Sequence, residues 1–370
     1  MNSNQSRSSQ SAVGLAGRYV ICPKIYARET ERIFSRSWIC VARVEQLDSA
    51  SQMLPIEVEG HKLFLVCGED GQIRAFRNFC RHRGSQLVTE ENCSQLKSRI
   101  QCPYHQWTYA RDGTLVAAPN MNDVPNFCEE ENSLISVPCE TMGGFVWICF
   151  QPQGSLAEFL SPLAAQFKTW SLDELRLGHE IQYSVKANWK LIFENYSECY
   201  HCAAVHPMLN QLTPYQNSTN DIEEGAILGG PMQLSAESKT MSMTGQSIGP
   251  TLPGLSESES RSVHYYTICP TMFFSAHPDY VLIHLIERKG AEETKVTCQF
   301  LFHPSGSSGS IAPEPAIEFW DLTNRQDWKV CELAQSGMSD PGYIPGPLSN
   351  LESVVAAFDR HYLSLLGDND

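Results

Sequence analysis

The chain has no run of about 18 apolar residues, so nothing in it reads as a membrane-spanning helix. Basic residues are scarce: 27 Lys and Arg stand against 42 Asp and Glu, a formal net charge of −15. A surface of that sign repels phosphates and argues against nucleic acid, while it suits docking of a basic electron donor. The opening stretch MNSNQSRSSQSAVG lacks the apolar core of a secretory signal, and residues 1–18 are expected to form a disordered leader. There is no glycine-rich dinucleotide loop, no four-cysteine cluster motif and no internal repeat, so the chain is not expected to reduce itself from a nicotinamide. Cysteine is plentiful, at 14 residues, but scattered rather than set at the spacings of a disulfide-stapled scaffold. With no export signal, a reducing cytoplasm is the expected compartment.

A length of 370 residues allows two domains, each with its own core. Residues 19–40 read as an N-terminal helix packing on the second domain, with Ile25, Ile33 and Trp38 as its apolar points. Residues 41–155 alternate in short β-type runs, and "IEVEGHKLFLVCGEDGQIRAF" carries a hairpin turn at Glu69-Asp70-Gly71. Residues 156–370 mix helical spacing with three long β-rich runs beyond residue 262 and a final helical stretch from Pro315. Beyond 208 and up to those strands the chain reads as loop. The expected class is therefore α+β: a small all-β domain, then a larger domain of antiparallel sheet and helices.

Two constellations carry the chemistry. Cys80-Arg81-His82-Arg83-Gly84 and Cys102-Pro103-Tyr104-His105-Gln106-Trp107 form C-x-H, a 19-residue spacer, then C-x-x-H. A zinc finger pairs its first two cysteines as C-x₂₋₄-C, so zinc is the weaker reading. One cysteine and one histidine at each of two loop tips is what a Rieske [2Fe–2S] cluster requires, with two thiolates on one iron and two imidazoles on the other. Gly84 is expected to let its loop approach the cluster, and Trp107 to shield it.

The second constellation is "ENYSECYHCAAVHP", with Glu198, His201 and His206. Five positions along a helix turn a side chain about 140° beyond a full revolution, so the two histidines can share a metal only if the helix breaks between them. Read alone, the pair could be packed core. Beside an electron-transfer cluster it gains a purpose, because two histidines and a carboxylate hold non-haem iron with positions open for O₂. Asp321 and Asp327 are the carboxylates available on the late helical stretch. Cys199 and Cys202 read as packing residues.

Together these motifs resemble the α subunits of Rieske non-haem iron oxygenases, the ring-hydroxylating oxygenases, over nearly the whole chain. The resemblance implies a helix-grip catalytic domain, cluster ligands Cys80, His82, Cys102 and His105, and iron ligands His201 and His206. The family's third ligand stands five residues before a glutamate, which Asp327 satisfies through Glu332 and Asp321 does not. It implies a trimer, α₃ or α₃β₃, in which a carboxylate three residues before the first histidine bridges the metal sites of neighbouring subunits; here that residue is Glu198 rather than the commoner aspartate. It also implies a separate flavin/iron–sulfur reductase delivering electrons from NAD(P)H. The local string is most similar to the branch acting on quaternary ammonium compounds such as carnitine and glycine betaine. The implied function is terminal monooxygenase on a quaternary or methylated amine, the alternative being an aromatic-ring dioxygenase. The pocket wall is expected from Tyr265, Tyr266, Phe273, Phe274, Tyr280, Phe300 and Phe302.

Overall fold

The computed structural model describes residues 12–47, 53–93, 99–304 and 311–368. The chain divides into two compact units, residues 30–176 and residues 1–29 with 177–370. The expected leader falls partly outside the described residues, at 1–11. Its remainder is tied down: Val13 bridges Pro347, Gly14 N donates to Gly346 O at 3.1 Å, and Leu15 is buried.

The 30–176 unit is built from short antiparallel strands. Strands β1 (Ile39–Arg43), β10 (Phe145–Ile148) and β9 (Cys139–Met142) form one sheet. A second contains β2 (Met53–Val58), β3 (His61–Cys67), β4 (Ile73–Arg77) and β8 (Ser136–Val137). A third contains β5 (Ile100–Gln101), β6 (Thr108–Tyr109) and β7 (Leu115–Ala117). The run read as one hairpin holds two, because β2 and β3 already reverse at Glu59-Gly60, with Val58 opposite His61. Helices α3 (Leu156–Phe159) and α4 (Ala164–Thr169) complete the unit. The division was expected near 155 and falls at 176. Arg43 is one cause: its buried guanidinium donates to Gly143 O (3.1 Å), Leu172 O (3.3 Å) and Leu175 O (2.6 Å), holding the 170s to this unit.

The other unit is a six-stranded antiparallel sheet in the order β11-β16-β15-β14-β13-β12. Its strands are β11 (Arg176–Val185), β12 (Ile227–Gln233), β13 (Ser262–Ile268), β14 (Met272–Ala276), β15 (Val281–Arg288) and β16 (Thr294–Phe302). Helices α1 (Arg18–Ile21), α2 (Pro23–Glu29), α5 (Trp189–Tyr196), α6 (Cys202–Val205), α7 (Pro207–Leu212), α8 (Glu314–Met338) and α9 (Ser353–Leu366) accompany it. The N-terminal segment does not act as one helix over 19–40; α2 ends with Glu29, and a π turn at Thr30–Phe34 opens the β unit. Strand β12 lies where a loop was expected. Gly229-Gly230-Pro231 looks like a turn, but β12 is the sheet edge, where proline is tolerated. Gly229 is required there: its φ is +139°, and a Cβ would stand 2.0 Å from Tyr265 O.

A buried ionic node joins the distant parts of this unit. Glu29 accepts from Lys190 Nζ (2.6 Å), Arg288 Nη1 (3.0 Å), Tyr362 Oη (2.7 Å) and Trp189 Nε1 (3.1 Å). Burial pushes the Glu29 carboxyl up, but the two cations outweigh it and hold it below the usual range.

Candidate metal centres

Cys80 follows β4, and Cys102 follows β5. The two loops repeat one backbone design. Cys80 N donates to Ser85 O (2.8 Å) and Gly84 N to Cys80 O (2.9 Å); Cys102 N donates to Trp107 O (2.8 Å) and Gln106 N to Cys102 O (3.1 Å). In both, the fourth residue after the cysteine is left-handed, Gly84 at φ +73° and Gln106 at φ +61°. Gly84 supplies the left-handed conformation that the turn needs, and a Cβ there would meet no protein atom within 4 Å.

The thiols and imidazoles differ in environment. Cys80 and Cys102 are buried in the apolar core with Phe64, Phe76 and Tyr109, whereas His82 is exposed and His105 half-buried. The imidazole centroids are 4.7 Å apart, and Trp107 stacks on His82 at 4.9 Å and 7°. Tyr109 Oη lies 3.3 Å from Cys80 Sγ and accepts from Arg81 N (3.1 Å). Burial raises the Cys80 thiol and the neighbouring Cys102 adds to this, with Tyr109 opposing. Burial, His105 and Arg83 hold His82 below its ordinary value, so it is a neutral donor near neutral pH. Two facing thiols inside and two adjacent imidazoles at the rim fit the donor set of a Rieske cluster.

In the catalytic unit the helix does break between the histidines. Helix α5 ends at Tyr196, and α6 is a single turn flanked by His201 and His206. His206 precedes Pro207, whose ring disfavours the α conformation in the residue before it. His206 accordingly sits at φ −124°, ψ 67°, and Pro207 opens α7. This brings the two rings to 5.2 Å. Asp327 Oδ1 on α8 lies 3.3 Å from His201 Nε2 and 2.7 Å from His206 Nε2, and one donor atom from each residue falls within 4.8 Å of the others. Such a set fits a metal ion facially.

Both outer nitrogens are engaged. His201 Nδ1 meets Glu198 Oε1 at 2.5 Å, and His206 Nδ1 meets Gln326 Oε1 at 2.7 Å, which leaves Nε2 of each ring for the metal. Glu198 also accepts from Tyr200 N and His201 N. Gln326 was not anticipated; its place beside Asp327 on the helix was the available signal. Burial pushes His201 down, yet its bonds to Asp327 and Glu198 outweigh this and lift it to about 10. Burial raises Asp327, and the two imidazoles more than reverse it. A cation taking these nitrogens displaces a tightly held proton, so metal binding is coupled to pH.

Asp321 is elsewhere: it accepts from Tyr183 Oη (2.8 Å) and Arg325 Nε (2.9 Å). Glu332 accepts from Lys186 N (3.2 Å). A cavity opens beside the three donors, with Tyr196, Tyr265, Trp320 and Trp328 as aromatic walls and no Lys or Arg in its lining. Of the aromatics expected there, Tyr265 alone lines it. Tyr266, Phe273, Phe274, Tyr280, Phe300 and Phe302 are buried in the sheet's packing. Trp320 and Trp328 were missed; Trp320 lies seven residues before Asp327, two turns along the same helix face, and Trp328 is its immediate neighbour in sequence. Cys199 and Cys202 also line the cavity rather than only packing behind it. Among the described residues no helix is long and apolar enough to cross a membrane.

Residues 172–368 match the family model for the ring hydroxylating alpha subunit (catalytic domain), and residues 37–128 match the Rieske [2Fe-2S] domain. The glycine betaine monooxygenase oxygenase subunit of Chromohalobacter salexigens is 27% identical over 368 residues, spanning 88% of this chain and 80% of that protein. The carnitine monooxygenase oxygenase subunit of Escherichia coli K12 is 36% identical over 207 residues, 55% of each chain. A crystal structure of a quaternary ammonium Rieske monooxygenase superposes with a TM-score of 0.81 over 96% of each chain at 23% identity, a likeness of fold. With the catalytic-domain family covering more than half of its length, this chain belongs to the ring-hydroxylating α subunits, the oxygenases that join a Rieske domain to a catalytic domain.

Proposed function

We propose that this chain is the terminal oxygenase of a multicomponent monooxygenase that hydroxylates a C–H bond on a quaternary or methylated amine, leading to N-dealkylation or C–N cleavage. The observation that carries the reading is the cavity beside His201, His206 and Asp327: four aromatic walls, the carboxylates Glu198 and Asp327, and no cationic lining residue. Aromatic faces attract an alkylammonium, and no Lys or Arg in the lining opposes it. The names of the glycine betaine and carnitine relatives support the same class.

In this reading Cys80 and Cys102 hold one cluster iron and His82 and His105 the other, while His201, His206 and Asp327 hold a mononuclear Fe(II). When bound, these groups supply single-electron transfer and O₂ activation. The chain's own residues do the rest. Glu198 orients His201 and bridges to the cluster ligands of a neighbouring subunit, and Gln326 orients His206. The aromatic wall orients the ammonium and excludes water. A homotrimer or α₃β₃ assembly and a separate NAD(P)H-dependent flavin/iron–sulfur reductase complete the proposal. So does a cytoplasmic site of action, which suits 14 cysteines with no disulfide among them.

The test is a single turnover. Chemically reduced, iron-loaded protein is exposed to O₂ and a panel of betaines, methylated amines and aromatic acids, with products read by mass spectrometry. A dealkylated amine with an aldehyde is expected. A hydroxylated ring would transfer the protein to the aromatic-ring alternative.

A further inference from the structure

The imidazoles of His82 and His105 stand in a series of rings. Trp107 stacks on His82 at 4.9 Å, the two imidazoles follow at 4.7 Å, and Tyr104 stacks on His105 at 3.9 Å and 26°. Arg83 ends the series. Its guanidinium carbon lies 5.2 Å from the centre of the Tyr104 ring, and its Nη1 donates to Tyr104 Oη at 3.3 Å. The contact crosses between the loops: Arg83 belongs to the Cys80 turn and Tyr104 to the Cys102 turn, 21 residues later. A planar guanidinium on an aromatic face is held in place as a flexible lysine is not. The guanidinium therefore stands no farther from His105 than the 5.2 Å and 3.9 Å separations taken together. That is about one screening length at physiological ionic strength, so the charge is felt at the imidazole. Among the described residues no carboxylate pairs with Arg83, and the charge stands whole.

We propose that Arg83, held over the cluster imidazoles by Tyr104, sets how readily the Rieske cluster accepts an electron. The inference rests on Cys80, His82, Cys102 and His105 as the cluster ligands and adds a residue that is not a ligand. The reduced cluster carries one more negative charge than the oxidised one, and no bond is made or broken between them. A fixed cation nearby favours the reduced form and raises the potential, because the potential of such a cluster follows the charges and hydrogen bonds around it. Tyr104 is the positioning residue: its ring carries the guanidinium on one side and meets His105 on the other. It is 55% exposed, so the charge it holds lies where salt reaches it. The chain as a whole is acidic, at −15, and a local cation offsets that field at the point where the electron enters.

The experiment is a redox titration of the iron-loaded protein followed by electron paramagnetic resonance, on the wild type, Arg83→Gln and Arg83→Lys, at low and high salt. Glutamine removes the charge and lysine keeps it. Arg83→Gln is expected to lower the reduced-to-oxidised ratio at a fixed potential about threefold, which at about 59 mV per tenfold is about 28 mV. Iron content and the spectrum should be unchanged, and Arg83→Lys should stay near the wild type. Salt at about 1 M, where the screening length is ~3 Å, should remove most of the difference. An unmoved potential in Arg83→Gln, an equal fall in Arg83→Lys, or a fall that high salt leaves whole would overturn the inference and leave the ligands standing. A wild type without the signal of a reduced cluster would overturn the ligand reading, and the inference with it. A double-mutant cycle tests Tyr104: in a Tyr104→Leu background the fall caused by Arg83→Gln should shrink by half or more. An undiminished fall would overturn the positioning role of Tyr104.

Discussion

The two metal centres are built by opposite means. The cluster loops are local: each is a tight turn between short strands, closed by the same pair of backbone bonds around its own cysteine. The mononuclear site is assembled at a distance, with His201 and His206 astride a one-turn helix and Asp327 on α8, 121 residues beyond His206. A local site depends on turn chemistry, and a dispersed one on the packing that brings its helices together. The local site leaves His82 exposed and His105 half-buried, and the dispersed one buries His206 and lines a cavity.

The difference can be broken most severely by deleting a ligand on each side. Cys80→Ser should reduce iron from about three per chain to about one, and Asp327→Ala from about three to about two. Each should abolish turnover, and metal analysis with electron paramagnetic resonance separates the losses. If either deletion empties both sites, they are not independent. Glu198→Gln is expected to keep all three irons yet stop turnover; a normal rate would exclude it as a bridge.

Its neighbours, and not burial, separate Asp327 from another carboxyl of the same unit. Asp359 is buried against Glu194 without a neutralising imidazole, and burial lifts it to about 7. Between about pH 4 and 7 the unfolded chain has released that proton and the folded chain has not. The unfolded state then binds fewer protons, so stability falls as pH rises through this window. Asp359→Asn should flatten the decline in melting temperature from pH 5 to 8. An unchanged slope would mean that Asp359 ionises freely.

Smaller effects test the supports around the ligands. Gln326→Ala frees His206 Nδ1 and should weaken mononuclear iron about 10–100-fold in a chelator competition, with the cluster spectrum unchanged. Tyr109→Phe removes a hydrogen bond to Cys80 Sγ. Worth ~1 kcal/mol more to the reduced cluster, that bond corresponds to about 40 mV, so the potential should fall by that order in a redox titration.

The contrast also explains what could be read in advance. The cluster motif is contiguous on either side of a short spacer, and its four residues were named from spacing. The mononuclear pair posed a geometric question that Pro207, visible in the sequence, answers by ending the helix at His206. Choosing Asp327 over Asp321 rested on family spacing; in the structure Asp327 stands with the two histidines, while Asp321 turns to Tyr183 and Arg325. The pocket wall was largely missed. Inward and outward faces of a doubly covered sheet are equally aromatic here, so alternation could not say which rings reach the cavity, and those of Trp320 and Trp328 come from a helix instead. Strand β12 was hidden because its glycines serve a close backbone approach, which resembles a turn until the neighbouring strand is in place.

The Glu29 node has a consequence for synthesis on the ribosome. Its partners Lys190, Arg288 and Tyr362 follow it by 161, 259 and 333 residues. At roughly 5–20 residues per second, the first helices wait about 8–50 s for their counter-charges and about 15–70 s for Tyr362, while the whole β unit emerges before the first of them. The β unit can settle during translation, whereas the catalytic unit closes only when its last helix is released. The earliest residues made are thus among the last to find their place.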